Sequence, residues 1–184
     1  MKRAELIGWL VIAYCVALAL TLSALAHAGA PTLTERLVAA QPAFASKKDE
    51  PVDAQAFAEA VAAVAKGNRQ WAALLTTIAI HESGLSARIA RGECKSFECD
   101  HGLAWGLPQI HRTSRNASVW GSPDIAVQIR EESHLARGAF ELCKKSSVPF
   151  PLSTIRAYAG RGCSQAIKGE ADRVATFNRL LRKL

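Results

Sequence analysis

The chain reads as a mostly α-helical single domain, and three observations carry that reading. Apolar residues recur at helical spacing in several separate stretches, no stretch alternates strongly enough to make a convincing strand, and there is no internal repeat. A length of 184 residues is enough for one domain with a real core and hardly for two.

The elements follow in chain order. Lys2 and Arg3 precede a long apolar run over residues 6–25, and Ala26-His27-Ala28 supplies a small-x-small cleavage pattern. Residues 1–28 therefore read as a secretory signal peptide cut after Ala28. An uncleaved anchor is the alternative, because the run approaches the length that spans a bilayer. Cys15 lies in mid-run and is followed by Val16, which makes it a poor point for lipid attachment. In either case the rest of the chain is exported, to the periplasm or beyond, or stays held at the inner membrane. Residues 29–52 read as a linker or weakly ordered lead, interrupted by Pro31 and Pro42, with room for a short helix over 33–40. The domain itself is expected over residues 53–184.

Asp53 is placed to cap a helix over 54–65, with Phe57, Val61 and Val64 at core spacing. Lys66-Gly67-Asn68-Arg69 breaks it. A second helix follows over 71–84, where Trp71, Leu74, Leu75, Ile78 and Ala79 repeat on one face and Gly84 supplies a stop. Residues 91–102 are polar, hold two cysteines and show no sustained period, so they read as a surface excursion with room for a short hairpin. Residues 103–110 are apolar but broken by Gly106 and Pro108, a composition that can line a groove. Ser122-Pro123-Asp124 opens the longest helix, with the Ser122 hydroxyl as cap. That helix is expected to reach about residue 144, with Ile125, Ile129, Leu135, Ala139 and Leu142 on its apolar face. A short helix over 152–158 ends at Gly160 and Gly162. A final basic helix over 171–184 turns Val174, Phe177, Leu180 and Leu181 inward.

Beyond the first segment there are four cysteines, Cys94, Cys99, Cys143 and Cys163, an even number that suits disulfides in an exported chain. Of the three possible connectivities, Cys94–Cys99 with Cys143–Cys163 is preferred, because it staples one local loop and joins two late segments. A Cys₄ zinc site would need closer paired spacings. Neither a metal nor a cofactor is expected. The formal charge of +7 is compatible with an anionic envelope, whether membrane or wall polymer. The basic residues are scattered and lack interleaved aromatics, which argues against nucleic acid.

One carboxylate stands out chemically. Glu82 arrives at the C-terminal end of an apolar helix, where terminal carbonyls carry partial negative charge. That position and partial burial would both raise its proton affinity, as a general acid requires. His81-Glu82 is not half of a zinc-protease motif: the second histidine would stand at position 85, which is Leu. There is no Gly-x-Ser-x-Gly elbow, and Ser83 has no local partner for nucleophilic work.

Three stretches in order are more specific. Glu82-Ser83-Gly84, then Gly102-Leu103-Ala104-Trp105-Gly106-Leu107-Pro108-Gln109-Ile110, then Ala157-Tyr158-Ala159-Gly160-Arg161-Gly162, resemble the soluble lytic transglycosylase family of the lysozyme-like superfamily. The resemblance covers about residues 55–182. It implies a lysozyme-like domain whose disulfide-bearing loop lines a cleft, acting as a monomer on peptidoglycan glycan strands. It implies Glu82 as the catalytic acid and Gln109 and Tyr158 as substrate-binding residues, with Ser83 beside the acid counted among them; Trp105 either stacks on a sugar face in the groove or packs in the core. Pro108 stands where the family often has Met, and Ala159 where Asn is usual. Glu170 and Arg173 loosely echo a charged family motif and are expected to be mostly structural.

The implied chemistry is cleavage of the β-1,4 bond between N-acetylmuramic acid and N-acetylglucosamine, with closure of a 1,6-anhydro ring on the muramyl residue. A plain hydrolase would instead need a positioned water, usually held by a second carboxylate. Asp100 is the best placed candidate, with Glu93 and Glu98 in the same loop.

Overall fold

Helix packing follows from one fully enclosed segment. In a computed structural model of the chain, which describes residues 30–95 and 99–184, every residue of 71–79 is buried. The expected signal peptide or anchor, with Cys15, lies outside the described residues, as does Glu98. Among the described residues no helix is long and apolar enough to cross a membrane.

Leu33–Leu184 form one packed, mostly α-helical unit. Helix α1 is Leu33–Ala40, continued by a 3₁₀ turn at Gln41–Ala43; α2 is Ala54–Ala65 and α3 is Arg69–Ser83. A single turn, α4, spans Ala87–Ala90. Strands β1 (Ala104–Trp105) and β2 (Ile110–His111) form an antiparallel hairpin in which Ala104 faces His111 and Trp105 faces Ile110. Helix α5 is Ile125–Cys143, α6 is Leu152–Tyr158 and α7 is Glu170–Lys183.

Local chemistry sets the ends. Asp53 caps α2 by accepting from the Ala56 amide at 2.7 Å, as its position in the sequence predicts. Asn68 caps α3 by accepting from the Trp71 amide at 3.0 Å. At α5 the cap is Asp124, which accepts from the Ala126 amide, while the Ser122 hydroxyl accepts from the Asp124 amide one step earlier. The expected Ser122 cap is thus displaced by two residues, because Pro123 lies ahead of the helix and not in its first turn.

The lead over 29–52 is not a loose linker from Leu33 onward. Leu37 and Ala40 are buried in the main core, and α1 packs on α2 and α7. Residues beyond α1 hydrogen-bond to the loop that follows α3: the Ser46 amide to Gly84 O at 2.9 Å, the Val52 amide to Leu85 O at 2.8 Å, and the Ala87 amide to Glu50 O at 2.9 Å. Gly84 sits at φ +62°, and a Cβ there would lie 3.1 Å from the Ser46 Cβ.

The core joins α3 to α5 and α7 through aromatic rings. Trp71, Phe140, Phe150 and Phe177 meet edge to face in sequence, with centroids 5.8–6.3 Å apart. Burial of Leu74, Leu75 and Ile78 adds roughly 1.5–3 kcal/mol each before entropy is counted. The inward seam of α5 differs from the expected one. Leu135 and Leu142 face solvent, Leu142 at 71 % exposure, while Gln128, Ile129, Glu132, Ser133, Ala136 and Cys143 are buried. Three polar side chains, Gln128, Glu132 and Ser133, thus face inward on a helix whose apolar pattern points Leu135 and Leu142 there. Both disulfides take the preferred pairing, Cys94–Cys99 and Cys143–Cys163.

Candidate active site

Three sequence-distant segments meet at the C-terminal end of α3. Glu82 enters from that end, Pro108 and Gln109 from the turn between β1 and β2, and Tyr158, Ala159 and Gly160 from the end of α6. With His111 and Arg173 they line one open cavity of about 400 Å³.

Arg173, on the first half of α7, donates from Nη1 to Glu82 Oε1 at 2.7 Å. Both side chains are largely covered, at 17 % and 24 % exposure, so little water screens the pair. The sequence reading assigned Arg173 a mostly structural role; it is instead the direct partner of the principal carboxylate. Its companion Glu170 is structural, held below the usual carboxylate range by hydrogen bonds from Arg156 and from the Ile167 amide. Beside Glu82, His81 bonds to the Thr176 hydroxyl at 3.0 Å, and burial followed by the Arg173 charge lowers its pKa.

The wall formed by residues 106–109 is fixed from behind. The buried Gln128 Oε1 accepts from the Leu107 amide at 2.9 Å, and its Nε2 donates to Ala90 O at 2.7 Å and Ser122 O at 3.0 Å. Gly106 has φ +72°, and a Cβ there would meet Gln128 Oε1 at 2.6 Å. Only glycine allows this turn to lie against the Gln128 clamp. Gln109, itself at φ +51°, folds its amide back to donate to Gly106 O at 2.9 Å and to reach Cys99 Sγ at 3.3 Å. Tyr158 Oη donates to Pro108 O at 3.1 Å, tying the end of α6 to the same turn. Burial, then the charges of Glu132 and Glu82, push the Tyr158 phenol well above its ordinary pKa.

The other expected binding residues lie elsewhere. Ser83 is buried and its hydroxyl donates to Ala79 O at 2.8 Å, which completes the last turn of α3 and leaves nothing for the cleft. Trp105 is buried, donates to Ser122 O at 2.9 Å and packs on Trp120 with centroids 6.5 Å apart. It borders a second cavity of about 470 Å³, shared with Trp120, Arg91, Lys95, His101 and the Cys94–Cys99 disulfide. The disulfide-bearing loop therefore lines this neighbouring cavity, and among the described residues it meets the lining of the Glu82 cleft through Cys99 on Gln109 and Asp100 on His111.

The candidate second carboxylates separate clearly. Glu93 is engaged by Arg91 at 2.9 Å, and that hydrogen bond lowers its pKa. Asp100 pairs with His111 Nε2 at 3.4 Å, and His111 in turn lines the cleft. Among the described residues no cluster of His, Cys, Asp and Glu is arranged to hold a metal.

Sequence reasoning missed Gln128 and Glu132. Their i, i+4 spacing, in phase with Ile125, Ile129 and Ala136, was the available signal. Glu132 is fully buried, and neither carboxyl oxygen has a hydrogen-bond partner. Burial first, and the nearby Glu82 charge second, raise its pKa well above the ordinary carboxylate value.

No protein-family model, no curated protein and no solved structure matches this chain.

Proposed function

We propose that the protein is a peptidoglycan lytic transglycosylase with a lysozyme-like domain, in which Glu82 is the catalytic acid and then the base. The observation that supports this most is the convergence of Glu82, Gln109 and Tyr158, drawn from three motifs spread over 77 positions, on one open cleft. The exported character read from the sequence and the two disulfides agree with a substrate outside the cytoplasm.

Glu82 in its acid form protonates the glycosidic oxygen as the bond to the muramyl anomeric carbon breaks. The neighbouring 2-acetamido group stabilises the developing cation, which removes the need for a protein nucleophile. Ionised Glu82 then takes the proton of the muramyl C6 hydroxyl as that oxygen bonds to the anomeric carbon. Arg173 supports the ionised form in this second half. Tyr158 holds the Pro108 carbonyl, and with it the wall of the groove.

A muramidase reading has one specific observation in its favour. His111 lines the cleft and is backed by Asp100, a pair able to orient a water. A glycan-binding module without activity is the third reading, favoured by Ala159 in place of the usual Asn. Mass analysis of digested wall glycan separates all three. The expected product carries an anhydromuramyl end, one water lighter than a reducing end. Glu82→Gln should keep the fold and lower fragment release about 1,000-fold or more. A reducing-end product would establish the muramidase, and release by Glu82→Gln at the native rate would remove Glu82 from the chemistry.

A further inference from the structure

The least explained group in the molecule is Glu132. Burying a carboxyl group without a hydrogen bond costs several kcal/mol, so such a group persists only where the surroundings use it. It stands on α5, which packs on α6, the helix that carries Tyr158 at its end. Of the other described helices, α2 and α3 pack most closely on α5. Helix α3 contributes Glu82, whose charge acts on Glu132. Helix α2 buries only Phe57, Ala58, Ala60, Val61 and Ala65, so no charge reaches Glu132 from buried residues on that side. Arg173 of α7 is engaged by Glu82 and also acts on Tyr158. His81, next to Glu82 on α3, feels the charges of Arg173 and Glu82, and burial lowers its pKa. The cluster is therefore two carboxyl groups, one phenol, one imidazole and one guanidinium, and only one of the carboxyl groups is paired with the guanidinium.

We propose that Glu132 is a positioning residue for the Glu82 centre, an unpartnered buried carboxyl group on the helix packed behind those that carry Glu82 and Tyr158. This rests on the reading of Glu82 as the catalytic acid. One guanidinium balances one carboxylate, so the arrangement keeps its charge balance only while Glu132 carries its proton. Burial first, and the Glu82 charge second, both raise its affinity for that proton. As a neutral acid it has an O–H to donate as well as a carbonyl oxygen to accept, the combination that suits a phenol and a carboxylate as neighbours. Ionisation would place a second negative charge beside Glu82 and Tyr158, with Arg173 already committed.

The linkage sign follows. A folded-state pKa raised above the unfolded value means that the folded chain keeps a proton the unfolded chain releases, from about pH 4.5 upward. Stability is then lost as pH rises beyond that point. Glu132→Gln removes this dependence.

The test uses the full chain and two Glu132 variants, with Glu82→Gln and the double variant added for a thermal cycle. Glu132→Gln keeps the shape and a neutral donor; Glu132→Met keeps the volume and removes both polar atoms. Glu132→Met is expected to unfold no earlier than wild type at pH 7, because a buried unpaired polar group is gone, yet to release wall fragments with kcat down about tenfold or more and KM within about threefold. Glu132→Gln is expected to recover a third or more of the lost rate, and to keep its activity to higher pH than wild type. A purely structural Glu132 would give the reverse: Met less stable and, per folded molecule, as active as wild type.

If Glu132→Met fails to fold, the pH profile of Glu132→Gln decides, and an unchanged alkaline limb overturns the proposal. A thermal double-mutant cycle of Glu82→Gln with Glu132→Gln needs no activity. Midpoint shifts that fail to add by about 2 °C or more support coupling across the cluster, and additive shifts overturn it. If Glu82→Gln proves fully lytic, the functional reading fails, and the thermal cycle still decides whether the two carboxyl groups act together.

Discussion

The helical body and the loop wall of the cleft are built by different means. Helices α3, α5, α6 and α7 position Glu82, Glu132, Tyr158 and Arg173 by burying whole helix faces around an aromatic chain. The wall over residues 99–111 has little core of its own. It is held by a left-handed turn through Cys99, Asp100 and His101, a two-residue hairpin, one disulfide, and the Gln128 clamp reaching across from α5. The difference teaches where each kind of group can be placed. The ionisable groups of the centre stand on packed helices, while the groove surface is backbone, tied down at a few polar points.

That contrast can be broken at specific places, largest effect first. Replacing Cys143 and Cys163 by serine removes the tie between the end of α5 and the segment beyond α6, and should cost about 3 kcal/mol for a loop of 20 residues, read as a lower urea midpoint. The same change at Cys94 and Cys99 should cost about 2 kcal/mol, because the closed loop is only 5 residues long, and it should leave the aromatic near-ultraviolet signal of the helical body in place. Gly106→Ala should cost about 2 kcal/mol through its clash with Gln128, and should move the wall more than the body. Hydrogen exchange would show this as faster exchange at Leu107 and Gln109 with Ile78 unaffected. At the bottom of the range, Leu142→Ser on the exposed face of α5 should change stability by no more than about 0.5 kcal/mol. A large loss there would mean that this face is covered by something beyond the chain.

How much of this was legible in the sequence depends on what each residue had to do. The helices around residues 54–65 and 71–84 could be read because apolar period, caps and glycine stops agree there, and the one over 152–158 from its glycine stop. Glu82, Gln109 and Tyr158 were legible because each sits in a short stretch whose glycines and apolar neighbours restrict the backbone. Gln128 and Glu132 were not, because an apolar count treats a polar side chain as a surface residue, and here Leu135 and Leu142 took the inward places on paper. Arg173 was undervalued for another reason: its partner is 91 positions away, and long-range pairing of charges leaves no local period. Ser83 and Trp105 were assigned to the cleft by neighbourhood in sequence. On a helix one step in sequence turns the side chain by about 100°, and on a strand it changes face, so adjacency to a site residue carries a side chain away from the site as readily as toward it.

The three backbone bonds from Ser46, Glu50 and Val52 to the loop after α3 have a consequence for how this protein tolerates trimming. They make the first stretch of the domain a brace under the residue that follows Glu82-Ser83. Shortening the chain into α1 should therefore cost stability through the lost burial of Leu37 and Ala40, and cost more once the brace itself is reached. The beginning of the domain and the end of its central helix are, mechanically, one part.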